Sequence, residues 1–519
     1  MENLSAGTIP DSRSEQIPGQ ISSARGNPPI SETDETIIGL EVHCQLDTVT
    51  KLFCACSTDY RSDGPNTHTC PVCLGLPGAL PKINKRAVEY ALRVAKALNC
   101  EVLPESVFSR KNYFYPDLDK AFQISQYDKP LAVGGHLIIE GENGEKLVRI
   151  TRVHMEEDPG RLVHKGGVDR ARYSLVDYNR AGIPLIEIVT EPDMRSPKEA
   201  RRFLNKLRTT LEYLSVFDSD KEGSLRVDAN ISLQPEGWFD REKKSYKGRN
   251  RVEVKNISSY KGVEKALTFE ITRQRNVIRK GQPIEQATRH FVETRGITTA
   301  SRSKEEEHDY RYFPEPDLCP LRVSSWVDLI ELPELPDARR ARFIRQYGCS
   351  SNHARTLTGD LKLADFYEKV ALKADPLLSA TWVADTLIGE LNYRDMGIGA
   401  VTPAHMTDLI NLVESKTITD KNAIDVLRTI LDGILKKEPA GTPSQIVARL
   451  DLGASESDVA PAAISEVIRE QPQAIADYKS GKKGAFMFLI GQVMKKTRGK
   501  ADPAELNRML QAALDEGEQ

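Results

Sequence analysis

The sequence contains no apolar run long enough to span a bilayer, which argues against a membrane-spanning helix. It also lacks a dominant charge. Its 72 lysines and arginines face 75 acidic residues, for a net charge of −3. No global basic field attracts nucleic acid, so any RNA contact must come from local patches. Phosphate-cradling Gly-x-x-x-x-Gly-Lys-Ser/Thr loops and Gly-x-Gly-x-x-Gly fingerprints are missing. A nucleotide would therefore bind through metal and carboxylates. There is no Gly-x-Ser-x-Gly elbow and no His-Glu-x-x-His helix, which removes two common hydrolase arrangements. Cysteine is sparse, at eight in 519 residues. Without a secretory signal this points to a reducing cytoplasm and not to a disulfide framework.

What is present divides the chain. At this length two to four domains are expected, and 39% hydrophobic with 28% charged residues is ordinary for a globular protein. Residues 1–35 are rich in Pro, Ser and Gly and read as a disordered extension. Strand-like alternation fills 36–330. The Leu332–Asp337 stretch reads as a linker, and helical spacing runs through 331–445 and a smaller tail, 446–519. The expected fold class is α+β, an antiparallel sheet followed by helices.

Four of the thiols cluster. Cys54 and Cys56 are followed by Cys70 and Cys73, a spacing that suits a closed, structural zinc tetrathiolate. A redox dithiol is the rival reading, and His68 lies between the pairs as a substitute ligand.

Period-two alternation sorts the polar residues. In Ile38–Leu46 the apolar positions alternate, leaving Glu41 and His43 on the opposite face. Leu225–Leu233 places Arg226, Asp228 and Asn230 together, and Arg251–Lys255 does the same for Glu253 and Lys255. Each could be the wet face of an antiparallel sheet. Together they resemble the floor of a cleft handling metal and phosphate. Glu187 interrupts the apolar strand Ile183–Val189, where an unpaired carboxylate is costly. His154-Met155-Glu156-Glu157-Asp158 precedes a Pro-Gly turn. Three adjacent acids call for a cation, such as magnesium carrying a nucleotide phosphate. The loop Arg110–Asp117 mixes cations and three aromatics, suited to stacking a base or to anchoring to a core. Lys479–Lys500 contains Lys482, Lys483, Lys495, Lys496, Arg498 and Lys500 and no acid, a candidate RNA-backbone patch or a solvated lysine-rich helix.

The stretches Ile38–His43, Arg110–Pro116, His154–Asp158, Pro184–Val189, Gly223–Ser232, Asp309–Asp317 and Gly491–Lys495 resemble the B subunit of the tRNA-dependent amidotransferases. The similarity runs in order from about residue 36 to the C-terminus. It implies a cradle-shaped sheet domain, a helical domain and a small helical tail. It also implies an activity, ATP-dependent phosphorylation of the side-chain carboxylate of misacylated glutamyl-tRNA(Gln) or aspartyl-tRNA(Asn). Ammonia from a glutaminase A subunit would then give the amide, and a C subunit would complete the heterotrimer. By the same resemblance, magnesium or nucleotide roles fall on Glu41, His43, Glu157 and Glu187, with Glu156, Asp228 and Glu253 as further members. Magnesium prefers oxygen, which leaves His43 as orienting or water-mediated. Pro159 stands where many relatives have alanine, a stiffer turn with no ligand lost. A non-catalytic, zinc-stabilised RNA-binding adaptor with the same fold is the alternative, although it would have no use for the carboxylate set.

Overall fold

A computed structural model describes residues 34–164, 171–221, 223–235, 239–240, 245–246, 248–300, 310–438, 441–453, 459–480, 482–497 and 503–516. Most of the N-terminal extension, together with Asp309, Arg498 and Lys500, lies outside these residues.

The architecture is α+β. Its centre is a nine-stranded sheet. Five neighbouring strands build the middle, β1 (Glu35–Gln45), β2 (Gly144–Glu157), β3 (Pro184–Thr190), β4 (Leu225–Gln234) and β5 (Val252–Ile257). Their spatial order is β5-β4-β1-β3-β2. Ala132–Gly141 and Glu101–Val102 extend one edge, and Ala287–Val292 and Ile297–Ala300 the other. Pairing is antiparallel except between β5 and Ala287–Val292, which run parallel. That exception follows from the intervening helix, because a parallel partner needs a crossover and a hairpin cannot supply one.

One face of the sheet is apolar. Ile38, Leu40, Val42, Ile186, Ile188, Ala229 and Val254 are at most 1% exposed. Three amphipathic helices cover them, α1 (Lys85–Ala97), α2 (Pro197–Tyr213) and α3 (Tyr260–Arg279). Each starts at a residue that caps its free amides. Asn84 accepts from Arg86 and Ala87, Ser196 from Glu199, and Ser259 from Gly262. The helices take the apolar face, so the other face is left for polar side chains.

A small three-stranded sheet (Phe313–Pro314, Phe108–Asn112, Phe122–Gln126) lies against the end of β2. The Gln126 side chain accepts from the Met155 amide at 3.0 Å, and the Gln123 amide donates to the Glu157 carbonyl at 2.7 Å. Beyond residue 330 the described residues are helical apart from turns, and they form two further apolar cores. Tyr213 of α2 packs into the first of these, with its hydroxyl donating to the Thr358 carbonyl at 3.1 Å. No helix among the described residues is long and apolar enough to cross a membrane.

Candidate active site

Strand register assembles the site. His43 of β1 faces Arg226 of β4 on one side and Glu187 of β3 on the other. Glu187 in turn faces His154 of β2. Directly paired residues share a face, so a single row across four strands reads Arg226, His43, Glu187, His154. Glu156, two residues from His154, falls on the same face.

The side chains converge. His43 Nε2 lies 3.4 Å from Glu187 Oε2 and 3.7 Å from Glu156 Oε1. The ligand atoms of His43, Glu156 and Glu187 lie within 4.8 Å of one another, close enough for one cation to touch all three. His154 Nε2 is 3.3 Å from Glu187 Oε2, and its Nδ1 is buried without a hydrogen-bond partner. Arg152 approaches the second Glu187 oxygen at 3.7 Å. Two carboxylates and an imidazole in one wall fit a divalent ion. The nitrogen donor makes the set better suited to manganese or zinc than an all-oxygen site would be.

Electrostatics report the same crowding. Burial alone would lower the His43 pKa. The Glu187 hydrogen bond and the charges of Glu156, Glu187 and Asp228 outweigh it and push the imidazole up to about 9. Burial would raise Glu187, yet the flanking His154 and His43 hold it well below the usual carboxylate range. Without metal, therefore, protonated His43 serves as the internal cation between two acids. A group raised above its unfolded value of 6.5 stabilises fully below that pH, and its contribution is lost as pH rises through about 9. We expect the metal-free protein to lose up to about 3 kcal/mol between pH 6.5 and 9. Urea unfolding of wild type and His43→Gln across that window checks this. Parallel pH profiles for the two would contradict it.

The remaining candidates sit around this centre. Glu41 accepts from the Asn230 amide at 3.1 Å and lies one step from the cluster, its carboxyl raised by burial and by Glu187, Glu253 and Asp228. Asp228 and Glu253 share Lys255, at 3.7 and 3.2 Å. A bulge between β4 and β5, with Asn256 at φ 65°, turns this end of β5. Glu157 is not part of the group. It projects from the other face of β2, where Lys120 pairs with it at 2.7 Å and the Ile124 amide donates to it at 3.0 Å. It borders a cavity of about 200 Å³ lined also by Lys51, Cys73, Arg110 and Lys120. Of the two adjacent acids, Glu156 is the one that meets His43.

Asp158, the third of the adjacent acids, anchors the floor. Its side chain is fully buried. It accepts from Gln45 Nε2 at 2.7 Å and Arg226 Nη2 at 2.8 Å, with Arg180 at 3.6 Å. Burial would raise its pKa, but the two guanidiniums hold it below the ordinary value.

The Arg110–Asp117 region supplies two cations. Arg110 forms a two-pronged pair with Glu315 at 2.7 and 2.8 Å. Lys111 lies 4.7 Å from the Tyr310 ring centre. Burial opposes its charge, but Glu156 above all keeps its pKa raised.

The four thiols Cys54, Cys56, Cys70 and Cys73 also gather, all within 4.8 Å of one another. A tetrahedral zinc with sulfur ligands at about 2.3 Å needs sulfurs roughly 4 Å apart, so the set fits. Fully buried Lys51 supports this fit. Its ammonium donates to the His68 carbonyl at 2.8 Å and lies 3.7 Å from Cys73 Sγ, placing positive charge beside thiolates. The His68 ring faces away to Asp63, at 2.5 Å.

In the tail, Lys482 is tied to Asp477 at 2.8 Å, and Lys496 to Glu470 and Glu466 at 2.8 and 3.1 Å. Lys495 is exposed. Lys483 begins the last helix but one.

Comparisons with known proteins give consistent matches. Residues 36–328 match the GatB/GatE catalytic domain family, and residues 365–514 match the GatB domain family. The chain is 66% identical to the B subunit of the aspartyl/glutamyl-tRNA(Asn/Gln) amidotransferase of Methanoregula boonei, over 93% of this chain and 99% of that protein. It is 67% identical to the protein of the same name from Methanospirillum hungatei, covering 93% and 98%. The Haloarcula marismortui counterpart is 52% identical over 92% and 97%.

Proposed function

The chain belongs to the family of aspartyl/glutamyl-tRNA(Asn/Gln) amidotransferase B subunits, and we propose that it is the subunit that activates the misacylated side chain with ATP and converts it to the amide. The observation that carries this reading is the convergence of His43, Glu156 and Glu187 on one polar sheet face. An adaptor would have no reason to keep three mutually repelling or proton-competing groups there.

The substrate carboxylate is ionised near neutral pH and needs no general base. One of its oxygens attacks the γ-phosphorus of ATP, and ADP leaves. Ammonia then adds to the acyl carbon of the mixed anhydride, phosphate departs, and the nitrogen gives up one proton. Magnesium, when bound, neutralises phosphate charge as the γ-phosphoryl group transfers. Glu156 and Glu187 would hold that ion, and His43 would assist through its ring nitrogen or a water. His154 fixes the Glu187 carboxylate from the far side. Lys255, between Asp228 and Glu253, and Lys111, beside Tyr310, would meet phosphate oxygens. Glu41 completes the acidic wall.

Zinc held by Cys54, Cys56, Cys70 and Cys73 would be structural, with all four positions filled by sulfur. Ammonia would come from a separate glutaminase A subunit, with a C subunit completing a heterotrimer in the cytoplasm. The tail carrying Lys482, Lys483, Lys495, Lys496, Arg498 and Lys500 would contact the tRNA backbone. The test is amide formation by the assembled complex on glutamyl-tRNA(Gln) and aspartyl-tRNA(Asn). ATP-dependent amide on at least one is expected. A complex that hydrolyses glutamine but leaves both side chains unamidated contradicts the reading.

A further inference from the structure

Beside the triad lies a set of tyrosines that the chemistry above does not use. Tyr127 and Tyr312 stack face to face, with ring centres 4.2 Å apart and planes 5° from parallel. Tyr312 covers one face of the Tyr127 ring, and Tyr127 is still 55% exposed. The stack is braced from behind. Tyr310 meets Tyr312 edge-on at 6.0 Å and Tyr113 at 5.9 Å, and Lys111 closes the row against Tyr310. The segment is pinned in place, since the Asn112 amide donates to the Tyr310 carbonyl at 2.9 Å and its side chain to the Arg311 carbonyl at 2.8 Å.

We propose that the open face of Tyr127, backed by Tyr312, is a stacking subsite for the unpaired terminal base of the aminoacylated RNA. This rests on the amidation reading above. Distance is the first argument. Two residues before Tyr127, the Ser125 hydroxyl donates to Glu156 at 3.4 Å, which places the Tyr127 backbone about 7 Å along the chain from a residue that touches the cluster. Tyr312 is close enough to Glu156 and Glu187 for both to raise its pKa along with burial. The ligand has matching reach. The side-chain carboxylate of an esterified glutamate lies about 5 Å from its ester carbon, and the ester joins directly to the terminal ribose. With that carboxylate at the triad, the terminal base reaches the neighbouring tyrosines. The adenine of ATP stands farther off, because two phosphates and a ribose separate it from the γ-phosphate. The second argument is chemical. A single-stranded end presents bare ring faces, and aromatic stacking recognises them.

The test uses the assembled complex with wild type, Tyr127→Ala, Tyr127→Ile and Tyr127→Phe. Isoleucine keeps apolar bulk and strand propensity but has no ring face, so it separates stacking from folding. Alanine and isoleucine should raise KM for the aminoacylated tRNA about 5- to 100-fold. KM for ATP and kcat at saturating tRNA should hold, and phenylalanine should stay within about twofold of wild type. An unchanged tRNA KM in the alanine and isoleucine variants would overturn the subsite, as would a rise in the ATP KM instead. Equal loss in the phenylalanine variant would also overturn it. If wild type makes no amide at all, the functional reading fails, and this outcome is distinct from the others.

Discussion

Glu187→Gln in the assembled complex should slow ATP-dependent amide formation at least about a thousandfold while glutamine hydrolysis continues. The estimate follows from removing one fixed charge at a phosphoryl-transfer centre, where single preorganised groups contribute factors of about a hundred to a thousand and metal contacts add more. Glutamine keeps the volume of the side chain and one acceptor oxygen for the histidines, so what is lost is the charge and the acceptor facing Arg152. That charge does three things. With Glu156 and Asp228 it helps draw His43 up to about 9, it holds His154 Nε2 at 3.3 Å, and it supplies one wall of the candidate cation site. The variant should also bind manganese at least tenfold more weakly in a titration, since an amide oxygen is a poorer ligand than a carboxylate. Amidation within tenfold of wild type would place the metal elsewhere.

The second large effect concerns stability. Asp158→Ala should lower the unfolding free energy of the sheet domain by about 2–3 kcal/mol, because it leaves the partly buried Arg226 and Arg180 charges without their fully buried anion. Gln45 loses its acceptor as well. The Asp158→Ala/Arg226→Met double variant should recover much of that loss, since removing both partners relieves the uncompensated charge. Urea unfolding followed by a probe within the sheet measures the cycle. Stability for Asp158→Ala within about 1 kcal/mol of wild type would remove Asp158 as the anchor of the site floor. The folded pKa of Asp158 is depressed, so its stabilisation is present above its unfolded value of 3.8 and lost as pH falls through the folded value.

Much of the sheet was readable in the chain itself. Alternation placed Glu41 with His43, and Arg226 with Asp228 and Asn230, and the strands carry them as the pattern requires. Parity also separates Glu156 from Glu157. Val153 and Met155 are buried in the core, so position 157 shares their side and positions 154 and 156 share the other. The resemblance places Glu157 among the magnesium residues, whereas parity sets it apart from His43 and Glu187 and brings His154 and Glu156 to them. No local pattern revealed that His43 and Glu187 would meet. They are far apart in sequence and meet only because β1 pairs with β3 in one register. The thiol cluster follows from spacing. Lys51 beside it does not, because a single lysine has no sequence signature of burial. The tail behaved differently again. Its basic window is free of acids, but Asp477, Glu466 and Glu470 just upstream pair with Lys482 and Lys496.

The central claim is that this protein carries the side-chain carboxylate through an acyl phosphate. The most direct measurement follows oxygen. Misacylated tRNA whose side-chain carboxylate is labelled with heavy oxygen is amidated by the assembled complex with ATP, and the released phosphate is analysed by mass. One labelled oxygen should pass to inorganic phosphate for each amide formed. Amide accompanied by unlabelled phosphate would contradict the account.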